Sequence, residues 1–135
     1  MKTTIKDIQV LTIPRIADPR GNLSVIEKDI LPYEMKRVYY LYDVPGGAER
    51  GGHAHKDQQE LLIALSGSFD VIMHDGEQEV TVTLNIPNKG LLIPTGIWRE
   101  LKNFSSGAVC LVIASEVYLE EDYIRGFDDF LGYKK

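Results

Sequence analysis

Residues 36–42 read KRVYYLY, and their side chains fall into two sets: Val38, Tyr40 and Tyr42 on one face, Arg37, Tyr39 and Leu41 on the other. A period of two predicts a strand. β-Branched residues in loose alternation predict another over 5–13, closed by the turn formers Asp18-Pro19-Arg20-Gly21-Asn22. A short strand is expected at 23–27, and Pro32 breaks any helix that begins near Ile30. Two alternating segments, 68–74 and 77–84, flank Asp75-Gly76, the strongest short hairpin signal in the chain. Val80, Val82 and Leu84 mark the buried face of the second. Further strands are expected at 91–94 and 97–101, after turns at 87–90 and 95–96. Residues 108–115 are apolar on both faces, as a central strand must be. The acidic, aromatic tail from Tyr118 onward is expected to form a helical turn or two over one end, with Glu120-Glu121-Asp122 as solvated surface.

Many short strands with Gly, Pro and Asn turns, and no sustained helical period, predict an all-β sandwich or barrel. No repeat, low-complexity tract or linker interrupts residues 1–135, so a single domain is expected. At 135 residues it can bury a core without staples. A net charge of -5 argues against a nucleic-acid surface, while leaving room for a local basic pocket. The one cysteine, Cys110, sits in an apolar run and is expected to be a buried, inert thiol in a reducing, cytoplasmic setting. No apolar run approaches the ~20 residues of a membrane span, and the N-terminal stretch lacks the apolar core of a signal peptide.

The candidate chemistry lies between Gly47 and Gly67. His53 and His55 are one residue apart, so on a strand both imidazoles project to one face, the interior of a closed β-fold. Two rings that titrate near neutral pH suit general acid and base work. His74, beside the Asp75-Gly76 turn, is expected to be a solvated hairpin residue.

The spacing Gly47, His53, His55, Glu60, Gly67 matches the first cupin motif, and Pro94, Gly96, Arg99, Asn103 resembles the second, with arginine in place of a histidine ligand. The implied fold is the cupin double-stranded β-helix, or jelly roll. Closer likeness lies in Asp18-Pro19-Arg20-Gly21-Asn22-Leu23, Arg37-Val38-Tyr39-Tyr40, Arg50-Gly51-Gly52-His53-Ala54-His55-Lys56, Leu65-Ser66-Gly67-Ser68, Ala114-Ser115 and Asp122-Tyr123-Ile124-Arg125. These segments resemble the bacterial cupin-fold sugar 3,4-ketoisomerases of the WxcM-like group, in order and spacing, from about residue 16 to 130. The resemblance implies a cofactor-free, metal-independent isomerase that moves the keto group of thymidine-diphosphate (TDP)-4-keto-6-deoxyglucose from C4 to C3. It also implies a homodimer, with N-terminal strands exchanged.

On that likeness His53 and His55 are the catalytic candidates, one moving a proton between carbons and the other serving the oxygens. Arg20 and Arg50 are candidates for the diphosphate or the enediolate oxygen. Tyr39, Trp98 and Arg99 complete the substrate-binding set, Tyr39 as a donor to a sugar oxygen and Trp98 as a cavity wall or a base-stacking ring. Glu60 is read as an acceptor for His55 or Arg99. Members of the family often carry glutamine near position 60. Two histidines and a carboxylate can also hold a transition metal. A metal-dependent cupin such as a small dioxygenase, and a non-catalytic sugar-nucleotide binder, are therefore the alternatives.

Overall fold

The computed structural model of the chain describes residues 2–27 and 29–135. Its first six strands are β1 (Gln9–Thr12), β2 (Arg15–Asp18), β3 (Gly21–Ser24), β4 (Arg37–Leu41), β5 (Arg50–His55) and β6 (Glu60–Ser66). The others are β7 (Phe69–His74), β8 (Glu79–Leu84), β9 (Lys89–Ile93), β10 (Trp98–Lys102), β11 (Val109–Ala114) and β12 (Tyr123–Ile124), followed by helix α1 (Phe127–Lys134). Ten of the strands form two five-stranded antiparallel sheets, ordered β1-β9-β6-β11-β4 and β12-β5-β10-β7-β8. This is the jelly roll that the motif spacing predicts.

Between the sheets lies the main core, with Leu62, Phe69, Met73, Ile93, Leu101 and Val112 among its buried residues. A second cluster, Ile13, Leu61, Ile63, Leu92 and Ile113, packs with Ile26, Leu31 and Tyr33. Leu61 and Leu62 thus belong to different clusters, as alternation along a strand requires. β6 and β11 are consequently apolar on both faces, and β11 sits inside its sheet between β6 and β4. A third cluster joins α1 to the second sheet through Ala54, Trp98, Ile124 and Phe130.

Three elements differ from the sequence reading. The expected strand 5–13 opens as a 3-10 turn, Ile5–Asp7, because Thr4 and Asp7 form a capping box; only Gln9–Thr12 is strand. The expected strand 23–27 starts earlier and pairs back on β2 as a hairpin around Pro19-Arg20. The β7–β8 connection spans four residues rather than two: the Asp75 carboxylate accepts from the backbone N–H groups of Glu77, Gln78 and Ile5, closing a wider turn. The β2–β3 hairpin belongs to neither sheet, and every one of its strand residues is exposed.

Candidate active site

A cavity of about 290 Å³ opens between the sheets. β4 supplies Arg37, Tyr39 and Leu41 to its wall, the three residues that the alternation of 36–42 puts on one face. β5 supplies Arg50, Gly51 and His53; β6 supplies Glu60; β10 supplies Arg99. Tyr123 and Arg125 complete the polar lining.

Arg50 and His53 are three residues apart, so strict alternation would put them on opposite faces. A bulge brings them together. Arg99 pairs with His53 and Leu101 pairs with Arg50, so three residue steps of β5 oppose two of β10. Gly51 absorbs the surplus at φ +82, where a Cβ would also meet Leu101 Cδ1 at 2.8 Å.

His53 and His55 do lie side by side, their ring centroids 4.8 Å apart and nearly perpendicular. Their surroundings differ. His53 lines the cavity, and its buried Nε2 has no hydrogen-bond partner among the described residues. His55 is fully buried behind it. Its Nδ1 lies 2.8 Å from Asp122 Oδ2. Asp122 also accepts the backbone N–H groups of Asp57 (2.6 Å) and Gln58 (3.2 Å), so it acts as the acceptor and His55 Nδ1 carries the hydrogen. His55 Nε2 faces Gln58 Nε2 at 3.5 Å, and Gln58 Nε2 also donates to Glu60 Oε2 at 2.7 Å.

Glu60 is the hub on the cavity floor. Its Oε2 accepts from Tyr39 Oη at 2.8 Å, and its Oε1 accepts from Arg99 Nη1 at 2.5 Å. The other donors of Arg99, Nε and Nη2, go to the carbonyl of Ile97 at 3.2 and 3.1 Å. Burial, followed by the positive charge of Arg99, lowers His53 to a pKa of about 2, with His55, Arg125 and Arg37 acting the same way. His53 is therefore neutral at physiological pH and does not titrate near neutrality as the sequence reading expects. Burial and Arg99 also lower His55, against the opposing pull of Glu60 and Asp122. Burial, then the Glu60 carboxylate, raises Tyr39 well above the ordinary phenol range.

Of the residues singled out in the sequence, His53, Tyr39, Arg50 and Arg99 line the cavity. Trp98 does not. Arg99 points inward, so its neighbour turns outward, where Phe127 and Phe130 of α1 cover it; its Nε1 donates to Glu100. Arg20 does not either: it stands on the exposed β2–β3 hairpin with its guanidinium on Asp18 at 2.7 Å. The acidic run at 120–122 is not wholly solvated, because Asp122 is buried against His55. His74 is half-buried under Phe127 and accepts from the backbone N–H of Gly76. Arg37, Tyr123 and Arg125 were absent from the candidate set, although alternation places Arg37 beside Tyr39.

His53, His55 and Glu60 offer ligand atoms within 4.8 Å of one another. The donor set suits a cation poorly: Glu60 already accepts from Arg99, Tyr39 and Gln58, and a dication there would sit against the guanidinium of Arg99.

A family model described as FdtA: WxcM-like, C-terminal matches residues 6–135. The chain belongs to that family. This FdtA/WxcM-like protein is 42% identical over 126 residues to the TDP-4-oxo-6-deoxy-alpha-D-glucose-3,4-oxoisomerase of Aneurinibacillus thermoaerophilus, covering 93% of this chain and 91% of the relative. It is 45% identical to the crystallised WlaRB TDP-quinovose 3,4-ketoisomerase of Campylobacter jejuni, with a TM-score of 0.90 over 95% of this chain and 99% of that one. It superimposes on the QdtA 3,4-ketoisomerase of Thermoanaerobacterium thermosaccharolyticum with a TM-score of 0.94 at 37% identity, over 96% and 95% of the two chains. That structure is a histidine-to-asparagine variant in complex with TDP-4-keto-6-deoxyglucose. The ketoisomerase family expected from the motifs is the family found.

Proposed function

We propose that this FdtA/WxcM-like chain, acting as one domain over residues 1–135, converts TDP-4-keto-6-deoxyglucose to its 3-keto isomer by proton transfer. The observation that carries the reading is His53, a neutral imidazole that lines the cavity and whose buried Nε2 has no hydrogen-bond partner among the described residues. The C4 carbonyl acidifies the proton on C3. His53 takes that proton, and the electron pair of the C–H bond becomes the C3–C4 double bond of an enediolate. The same imidazole returns the proton to C4. Meanwhile the hydroxyl proton on O3 must leave and one must arrive at O4. Tyr39 serves those oxygens, with Glu60 accepting from its hydroxyl and Gln58 linking Glu60 to His55. His55 thus acts through the floor of the cavity rather than on the sugar. Proton chemistry of this kind needs no cofactor.

Arg50, exposed at the mouth beside His53, takes the diphosphate. Arg99 holds Glu60 in place. Arg20 reaches substrate only if the β2–β3 hairpin crosses to a second copy. An isolated two-stranded hairpin has little stability of its own. Ile16 and Leu23 are 63% and 55% exposed on it, while Val38 and Tyr40 on the open edge strand β4, and Tyr42 just after it, are 56–61% exposed. Both features support a homodimer with exchanged N-terminal strands; sedimentation equilibrium tests the dimer itself. No helix among the described residues is long and apolar enough to cross a membrane, and we place the enzyme in the cytoplasm.

The decisive experiment incubates the protein with TDP-4-keto-6-deoxyglucose in deuterated water. Deuterium should enter at C3 and the 3-keto isomer should form. A pure binder would leave the C3 proton untouched, and an epimerase would label C5 as well. The clustered ligand atoms of His53, His55 and Glu60 favour one second reading, a metal-dependent cupin. Stoichiometric transition metal in the purified protein, with turnover lost to chelator, would select it.

A further inference from the structure

Two buried side-chain atoms lack a hydrogen-bond partner among the described residues: His53 Nε2 and Arg37 Nε. Both residues line the same cavity. With the ring hydrogen on Nδ1, His53 Nε2 is a lone-pair acceptor, and Arg37 Nε is a cationic donor; polar groups are rarely left in this state without a purpose. We infer that Arg37 is a catalytic residue of the isomerisation, its Nε–H donating to the oxygen that becomes negative when His53 takes the C3 proton. The assignment rests on the isomerase reading above.

The other guanidiniums around the cavity are occupied or peripheral. Arg99 spends its donors on Glu60 and on the Ile97 carbonyl. Arg125 forks onto Glu120 at 2.7 and 2.9 Å. Arg50 is exposed at the mouth. Arg37 is half-buried, and its charge faces rings rather than carboxylates: 4.8 Å above Tyr39 and 5.5 Å from the Tyr118 ring. Among the described residues its side chain makes one hydrogen bond, from Nη2 to Tyr123 Oη, and that is long at 3.3 Å. Tyr123 in turn packs on both imidazoles, with centroids 5.0 and 4.4 Å away. These contacts hold Arg37 at the level of the reacting rings and leave its Nε free for an anion.

Electron balance gives the anion its place. As His53 Nε2 bonds to the C3 proton, the C–H pair forms the C3–C4 double bond and the carbonyl π pair moves onto O4. Positive charge appears on the imidazole and negative charge on O4, with no net change. A cationic donor already fixed in the cavity wall stabilises that oxygen more in the transition state than in the ground state.

The test compares wild type with Arg37→Gln and Arg37→Lys, reading C3 deuterium exchange, kcat and KM with TDP-4-keto-6-deoxyglucose, and the Kd for TDP alone. Arg37→Gln should lower exchange and kcat together by ~10²–10³-fold, while TDP binds within about threefold of wild type. Arg37→Lys keeps the charge without the Nε–H and should fall between the two; it also serves if the glutamine variant folds poorly. A kcat near wild type in a folded variant overturns the assignment. So does a tenfold weaker TDP affinity with kcat preserved, which would make Arg37 a diphosphate ligand. Wild-type protein that neither exchanges the C3 proton nor forms product would instead remove the isomerase reading, and the role of Arg37 with it.

Discussion

His53 and His55 are the same residue on the same face of the same strand, yet they occupy opposite environments. His53 borders the cavity with a nitrogen unpartnered, while His55 is sealed, its Nδ1 on Asp122 and its Nε2 toward Gln58. Residue type and spacing therefore do not decide what an imidazole does. What decides it is which nitrogen the surroundings have already used. On the proposed mechanism the ring with a nitrogen left over is the base, and the ring behind it, with both nitrogens engaged, is a support.

The largest effect should come from removing the orphaned acceptor. His53→Asn is expected to lower kcat by ~10²–10⁴-fold with its unfolding transition close to wild type, because no native hydrogen bond of Nε2 is lost. Near-normal turnover would dissolve the distinction between the two rings. Next comes the support. Asp122→Ala strips the acceptor from His55 Nδ1 and from the N–H groups of Asp57 and Gln58. It should cost about 3 kcal/mol, read as a lower urea midpoint at unchanged m-value. A shift under about 1 kcal/mol would mean that water replaces the carboxylate.

Per pH unit, the effect of acid is smaller again. His53 has a pKa of about 2 when folded and roughly 6.5 when unfolded. Between these values the unfolded chain binds more protons, so stability falls as pH drops below about 6.5. The slope should approach ~1.4 kcal/mol per pH unit from this residue, and His53→Asn should flatten it by that amount. The smallest expected effect is at the bulge. Gly51→Ala places a side chain at φ +82 against the flexible tip of Leu101, for about 1–2 kcal/mol of stability. Titration with TDP should also show weaker binding as Arg50 shifts.

Alternation alone made β4 legible and set Tyr39 opposite Tyr40, the family resemblance chose Tyr39 for the cavity, and the doubly apolar runs of β6 and β11 marked the inner strands. The same rule, carried one step further, separates Arg99 from Trp98 and adds Arg37 to the cavity. Asp122 was harder to see. It sits in an acidic run that resembles solvated surface, and its partner lies 67 residues away, across a β5–β12 pairing that local pattern does not encode. Arg20 lies outside the cavity of the single chain for a different reason: its turn was readable, but where a hairpin docks depends on surfaces outside its own sequence.

The surplus residue in β5 carries a lesson for redesign. Inward and outward positions along this strand are not a property of odd and even numbering; they depend on where the chain stores its extra step. Relocating that step beyond His53 would swap the face of every side chain it passes. The imidazole would then turn toward α1 with no substitution made to it, so indel scanning through 50–53 is a route to new pocket chemistries that point mutagenesis does not reach.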